Sequence, residues 1–109
     1  MKRILFVLVC LFLIGCTTGN IVYKEVKFDP VKTCVALCDN VVARGYDLSQ
    51  GPCLSDGRAF VTDWVCDVVH DPRDEFVDNK PENQCEEYKK GRAKHFVEVN
   101  THCKFLRKK

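Results

Sequence analysis

Residues 29–45 read DPVKTCVALCDNVVARG, and their pattern decides the fold. Asp29 is a favourable N-cap residue for a helix that has Pro30 in its first turn. The backbone N–H groups of the first turn have no partner within the helix, so proline, which lacks this group, loses no hydrogen bond there. Apolar residues and cysteines then recur three and four residues apart, which is the spacing of one helix face. They are Val31, Cys34, Val35, Cys38, Val41 and Val42. The pattern predicts a helix that ends near Gly45.

Upstream of this helix, the chain begins like an export signal. Lys2 and Arg3 precede an unbroken apolar run over residues 4–14. Such a run spans about half of a bilayer core, so it predicts a cleaved signal and not a spanning helix. We expect residues 1–15 to be the signal peptide and residues 16–29 to be a lipidated start followed by a tether or an edge strand. Residues 30–109 then form the domain.

The signal ends in Leu13-Ile14-Gly15-Cys16, which resembles the prokaryotic lipobox. The resemblance covers the first sixteen residues and implies that Cys16 receives a diacylglyceryl group on its sulfur and becomes the new amino terminus. Two or three acyl chains hold a protein on a bilayer durably, whereas one does so only marginally. The alternative is an ordinary secretory signal cut later, for instance after Gly19, which would release the protein.

Six cysteines follow Cys16, and they indicate a disulfide-bonded domain. They are Cys34, Cys38, Cys53, Cys66, Cys85 and Cys103. An even set in a small exported domain is typical of disulfides, because the compartment is oxidising and a small core needs covalent support. A zinc site that combines cysteines with His70, His95 or His102 is the alternative. Its usual close Cys-x2-Cys pair is absent here.

The spacing of Cys34 and Cys38 restricts the pairing without fixing it. On a helix, residues four apart lie on one face, so these two cysteines are placed to reach other segments rather than each other. Sequence leaves the partners open. Our working expectation is that Cys34 bonds Cys66, Cys38 bonds Cys53, and Cys85 bonds Cys103.

Downstream of the helix, turns and strands are expected. Residues 47–58 contain Gly51-Pro52 and predict a loop pinned by a cysteine. Residues 59–70 are rich in valine and aromatic residues and predict a strand whose Trp64 and Cys66 face inward.

Residues 71–80 are polar and predict an exposed loop. A second helix is expected over residues 81–90 and ends at Gly91. Residues 95–99 and 102–107 predict two strands of a hairpin. The order helix, strand, helix, strand, strand predicts an α+β fold with two helices on one face of a three-stranded, largely antiparallel sheet.

The charge is balanced overall but segregated along the chain. Of the 17 Lys and Arg residues, Lys2 and Arg3 lie in the leader, so 15 basic and 15 acidic residues remain. This balance argues against a nucleic-acid partner. Residues 63–87 carry a net −7 and residues 88–109 a net +7. The two segments are expected to pair in the fold or to form two solvated faces.

The end of the predicted strand concentrates groups able to bind a ligand. They are Trp64, Asp67, His70, Asp71 and Arg73. Binding residues often lie where a strand meets a loop, so this set is our candidate ligand-binding site. The structural alternative is that Trp64 belongs to the core, Asp71 caps a turn, and His70 is satisfied by local hydrogen bonds.

A metal site built from His95, His102 and Glu98 is less favoured. A hairpin turned at Asn100-Thr101 would place Val99 opposite His102 and would hold the two imidazoles apart. We therefore predict no metal or other cofactor.

Residues 95–99 resemble the histidine strand of transglutaminase-like enzymes. The resemblance spans five residues and implies a cysteine-histidine hydrolase or transferase, which needs a cysteine at a helix start and an acid on the next strand. That strand offers Cys103 and Lys104 but no acid. A disulfide-bonded cysteine is also no nucleophile, so we assign no catalytic residue.

Anchor, disulfides and the missing catalytic set together favour a non-enzymatic lipoprotein. We expect it on the cell membrane or outer envelope, outside the cytoplasm, where its domain binds another envelope or extracellular protein. The alternatives are the cysteine-histidine enzyme and a freely secreted, inhibitor-like protein whose Cys16 is not lipidated.

Overall fold

The computed structural model describes residues 19, 27–57 and 62–109. The predicted signal peptide (1–15), the lipidation point Cys16 and most of the predicted tether or edge strand (17–18 and 20–26) lie outside the described residues. So do residue 58 of the predicted loop and residues 59–61 of the predicted strand. The helices are α1 (Pro30–Ala43), α2 (Glu75–Asp78) and α3 (Glu86–Lys89), with a 3-10 helix at Pro81–Asn83. The strands are β1 (Cys53–Ser55), β2 (Trp64–Val68), β3 (His95–Val99) and β4 (Phe105–Lys108). No helix within these ranges is both long enough and apolar enough to cross a membrane.

Helix α1 forms as its sequence predicts. The side chain of Asp29 accepts hydrogen bonds from the backbone N–H groups of Val31 and Lys32 at 3.0 and 3.2 Å. Cys34 and Cys38 are fully buried on one face of the helix. Gly45 has a φ of +88°, a conformation that glycine adopts without the steric cost of a Cβ, and the chain turns there.

The four strands form one mixed sheet in the order β1-β2-β3-β4. The α+β class is confirmed, and two of the three strand pairs are antiparallel as expected, but the sheet has four strands and not three. The central pair, β2 and β3, is parallel, while both outer pairs are antiparallel. Parallel neighbours need a long crossover. Residues 69–94 provide it, and β1 lies in the segment that was expected to be a loop.

This crossover replaces the single second helix that the sequence suggested. Helix α2 lies inside the predicted loop over residues 71–80, and the predicted helix over residues 81–90 is split in two. Gln84 and Cys85 interrupt it with extended backbone, at ψ values of 146° and 106°. The physical reason is that Cys85 bonds Cys53 in β1, and so holds the chain against the sheet.

Two separate cores cover opposite faces of the sheet. Cys66 and Val68 of β2 pack with the buried face of α1. Val65 of the same strand packs with Cys85 and Ala93 of the crossover. Alternate residues of a strand point to opposite faces, so α1 and the crossover sandwich the sheet. The expectation that both helices lie on one face was wrong.

All six domain cysteines are paired, as predicted, with Cα–Cα distances of 5.1 to 5.5 Å. The bond between Cys34 and Cys66 is confirmed. The other two expected pairs are wrong: the bonds are Cys38–Cys103 and Cys53–Cys85. Cys53 is in register with Asp67 and shares its face of the sheet, the crossover face. It therefore cannot reach Cys38, which is on α1.

The connection from β3 to β4 is longer than a two-residue turn. The Asn100 N–H donates to the Lys104 carbonyl at 2.8 Å, and the Asn100 side chain accepts from the His102 and Lys104 N–H groups. Val99 is therefore in register with Phe105 and not with His102. The expected register failed because the side chain of Asn100 organises a wider turn.

Some ion pairs join the acidic segment 63–87 to the basic segment 88–109, and others form within one segment. Arg92 of the basic segment donates two hydrogen bonds, at 2.9 and 2.6 Å, to the buried carboxylate of Glu87 in the acidic segment. Arg107 instead pairs with Glu98 inside the basic segment at 2.7 Å.

Candidate functional site

The structure divides the five predicted ligand-binding residues between two faces. Trp64 lies on the α1 face, where its ring stacks on His95 with centroids 4.6 Å apart. Asp67 points to the opposite face, and only Arg73 joins it in lining a common cleft. Asp71 is exposed. The five residues therefore do not form one site.

Both ring nitrogens of His70 lie within hydrogen-bond distance of a partner. Its Nδ1 lies 2.8 Å from Asp78 Oδ1, and its Nε2 lies 2.8 Å from the Ser49 carbonyl oxygen. The hydrogen bond to Asp78 raises the pKa of His70. Burial opposes ionisation of Asp78, but hydrogen bonds from the ring and backbone of His70 and from the Asp74 N–H outweigh it and lower the pKa of Asp78. His70 thus ties the loop before β1 to the crossover.

One group of three potential metal ligands occurs among the described residues. Cys53, Asp56 and Cys85 bring one donor atom each within 4.8 Å of one another. The two sulfurs are bonded to each other, however, and only a thiolate is a good metal ligand. The group therefore carries no metal site in the oxidised protein.

A cleft of about 260 Å³ lies between the crossover and the face of the sheet that α1 leaves uncovered. Its floor is formed by two side-chain pairs on the parallel strands. Val65 of β2 is in register with Phe96 of β3, and Asp67 is in register with Glu98. Residues in register share a face, so the parallel pairing sets two carboxyl groups side by side on the floor.

The walls come from the crossover. Arg73 and Gln84 line the cleft together with Tyr88 and Lys89 of α3. The Tyr88 ring meets the Phe96 ring edge to face, with centroids 5.1 Å apart. Cys85 fixes this wall to β1 through its disulfide. The cleft therefore has an acidic floor, an aromatic side and two cationic side chains.

Burial and charge act together on Asp67. Desolvation, followed by the negative charge of Glu98, raises the pKa of Asp67 to about 8, although Arg73 acts in the opposite direction. Asp67 is therefore largely neutral at pH 7. Glu98 is compensated differently, because Arg107 of β4 lies 2.7 Å from its Oε2.

Three buried oxygen atoms on residues that line the cleft receive no hydrogen bond from any described residue: Asp67 Oδ1, Gln84 Oε1 and Glu98 Oε2. Glu98 Oε2 forms an ion pair with Arg107, so Asp67 Oδ1 and Gln84 Oε1 are the two without a charged partner. A buried polar atom without a partner costs about 1–3 kcal/mol, so native proteins rarely keep one without a reason. The residues that carry them line the same cleft, where an ordered water or a ligand would supply the missing hydrogen bonds.

Sequence reasoning found Asp67 and Arg73 but missed the rest of this cleft. From the sequence, Glu98 is expected only as a possible metal ligand, and Gln84, Tyr88 and Lys89 are expected in a helix. A signal was nevertheless present, because WVCDV and HFVEV each place one acid among apolar residues of a strand. An acid in such a position is uncommon unless it is paired or used.

Comparison with family models, with curated proteins and with solved structures gives no match. A functional proposal for this chain therefore rests on its own sequence and structure.

Proposed function

We propose that this chain is a small exported lipoprotein, held on a membrane through acyl groups on Cys16, whose disulfide-bonded domain binds a ligand or partner in the cleft. The observation that carries the proposal is the set of three disulfides, which use all six cysteines of the domain. Disulfides persist in oxidising compartments outside the cytoplasm. The lipobox resemblance of residues 13–16 supplies the anchor.

Binding is a better proposal than catalysis for two reasons. Every cysteine in the described part of the chain is disulfide-bonded, so a cysteine-histidine enzyme would lack its nucleophile there. Both nitrogens of His70 are also held by hydrogen bonds, so this imidazole is not free to act as a base. The cleft, in contrast, offers buried acceptors that a ligand can satisfy.

Metabolic labelling with an alkyne analogue of palmitate tests the anchor. We expect wild type to incorporate the label and Cys16→Ser to lose it, because the acylated sulfur is gone. Cys10→Ser is the matched control, since it removes a leader cysteine outside the lipobox, and it should label like wild type. Mass spectrometry of the amino-terminal peptide should show acylated Cys16 as the first residue.

Three outcomes would contradict the proposal. An unlabelled wild type, or a label that persists in Cys16→Ser, removes the anchor, and unlabelled protein in the medium favours the secreted alternative. Alkylation of the non-reduced mature protein should modify no thiol. Two or more reactive thiols would show that the domain is not disulfide-bonded in its native compartment.

A further inference from the structure

An aromatic cluster lies where the tether joins the domain. Residues 17–27 connect Cys16 to Phe28. The Phe28 ring meets the Trp64 ring edge to face with centroids 6.5 Å apart, and the Trp64 ring stacks on His95 at 4.6 Å. Phe28 is 45% exposed, and the other two residues are partly exposed. Part of this aromatic surface is therefore open to contact from outside the domain.

One end of the sheet lies beside this cluster. Strands β2 and β3 are parallel and begin there, with Trp64 in register with His95. Strand β4 is antiparallel to β3 and finishes there, because the N–H and carbonyl of Lys109 bond to Phe96. We call this part of the molecule, which includes Phe28 and the start of α1, the tether end. The turn between β3 and β4 lies at the opposite end.

Basic side chains dominate the tether end. Lys94 directly precedes β3, and its backbone N–H donates to Asp63 Oδ1 at 2.8 Å. Five exposed lysines stand here against two acids, Asp29 and Asp63, which leaves a net charge of +3. The lysines are Lys27, Lys32, Lys94, Lys108 and Lys109.

The other charges near the tether end cancel, and the crossover carries its first acids elsewhere. Three acids of the loop after β1 and of helix α3 are matched in number by three bases, and two ion pairs join them. These residues are Asp56, Glu86 and Glu87, with Lys89, Lys90 and Arg92. The crossover leaves β2 at the opposite end of the sheet, so Asp71, Asp74 and Glu75 follow there. The charge segregation along the sequence is therefore also a difference between the two ends of the domain.

We infer that the tether end docks on the anionic surface of the bilayer that holds the acyl groups, with its aromatic cluster at the level of the lipid headgroups. This inference rests on the proposed function, in which Cys16 is acylated. Even when fully extended, the chain from Cys16 to Phe28 spans at most about 43 Å. The anchor therefore keeps the tether end beside the bilayer.

Both features of the tether end suit such a surface. Tryptophan is enriched at the boundary between lipid and water. Basic side chains are attracted to anionic headgroups, and each one near the surface strengthens the contact about fivefold. Docking in this orientation also directs Asp71, Asp74 and Glu75 away from the anionic lipids, because they lie at the opposite end.

Quenching of Trp64 fluorescence by brominated lipid tests the inference. Trp64 is the sole tryptophan of the chain, so its emission reports on this cluster alone. The full mature protein is reconstituted into vesicles of phosphatidylcholine brominated on the upper acyl chain, with or without phosphatidylglycerol. We expect strong quenching only in the vesicles that contain the anionic lipid. Raising the salt from about 0.1 M to about 1 M shortens the Debye length from about 10 Å to about 3 Å and should remove most of this quenching.

Charge reversal at the two ends provides a matched pair of variants. Lys94→Glu/Lys108→Glu removes two lysines from the tether end and should lower the ratio of docked to undocked protein at least about 25-fold. The control Arg44→Glu/Lys104→Glu makes the same change in charge at the opposite end, at the C-cap of α1 and in the turn before β4. It should be quenched like wild type. Both variants must keep all cysteines of the domain unreactive, which shows that they fold, and the lipid and salt dependence of wild type needs no variant.

Several results would overturn the docking inference. They are equal quenching in neutral and anionic vesicles, quenching that salt leaves unchanged, and an equal loss in both double variants. An emission maximum that vesicles do not shift, without quenching, would show that another part of the protein covers the cluster.

Flotation with neutral vesicles tests the anchor separately. A protein that floats with them but is not quenched in anionic vesicles keeps the anchor and refutes docking. A protein that fails to float with neutral vesicles but is quenched in anionic ones lacks the acyl anchor and still docks through the tether end.

Discussion

Replacing Asp67 with asparagine should stabilise the domain, and increasingly so as the pH rises. The native fold keeps the Asp67 carboxyl mostly buried beside Glu98, which raises its pKa to about 8 from the ordinary value of 3.8. Between these two values the native chain holds a proton that the unfolded chain releases. Stability must therefore fall with rising pH in wild type, because the unfolded state binds fewer protons. Asparagine is neutral at every pH, so its contribution to the free energy of unfolding does not change with pH.

The magnitude follows from the proton linkage. One proton contributes about 1.4 kcal/mol of unfolding free energy for each pH unit. From pH 5 to pH 7, wild type should therefore lose about 2.7 kcal/mol relative to Asp67→Asn. That difference is a large part of the stability of a small domain, about 5–15 kcal/mol. Other titrating groups, including His70, are present in both proteins and cancel in the comparison.

Denaturation by guanidinium chloride, with the disulfides intact and Trp64 fluorescence as the signal, measures this difference. Trp64 is the sole tryptophan of the chain and lies on the same strand as Asp67. Curves for wild type, Asp67→Asn and the control Asp39→Asn, an exposed substitution on α1, should be collected at pH 5, 6 and 7. If the free energies of unfolding of wild type and Asp67→Asn change in parallel across this pH range, Asp67 is ionised in the native state and the acidic floor of the cleft is solvated.

Two further predictions concern the segment around His70. Gly51→Ala should lower the free energy of unfolding by more than about 2 kcal/mol, because Gly51 has a φ of +67° and a Cβ there would lie 2.7 Å from Asp78 Oδ1. The control Gly91→Ala, with a φ of +75° and no atom near the new Cβ, should lower it by about 1 kcal/mol. Equal melting temperatures of the two variants would refute the predicted clash at Asp78. The pKa of His70, measured by NMR, should lie above 6.5 and should fall in Asp78→Asn. The stability that the charged imidazole contributes is complete below pH 6.5 and is lost as the pH rises through the pKa of the folded state. An unshifted pKa of His70 would contradict the hydrogen bond between His70 and Asp78.

The parts of the fold that sequence predicted are those encoded locally. Helix α1 carries its own cap at Asp29 and its own apolar face, so it forms where expected. The even set of cysteines predicted a fully disulfide-bonded domain because that inference depends on composition and compartment. The expected pairing of Cys34 with Cys66 is confirmed as well, although the sequence left the partners open.

The parts that failed depend on distant partners. Strand β1 has three residues and exists because it pairs with β2, and α2 and α3 have four residues each. Elements so short show no periodicity that a sequence pattern can reveal. The same limit applies to the cleft, since Asp67 and Glu98 are brought together only by the register of two parallel strands.

The covalent frame explains how so small a domain can keep this cleft. Cys66 lies between Val65 and Asp67, so its bond to Cys34 fixes the floor strand to α1, and the bond from Cys85 to Cys53 fixes the wall. Each closure is worth about 3–4 kcal/mol in the chain-entropy model, which exceeds the cost of about 1–3 kcal/mol for one unpaired buried acceptor. A sheet selected for stability alone would place apolar residues at positions 67 and 98. Two adjacent carboxyl groups, one of them paired with Arg107, are retained at a cost that the disulfides offset, and this is compatible with the binding function proposed for the cleft.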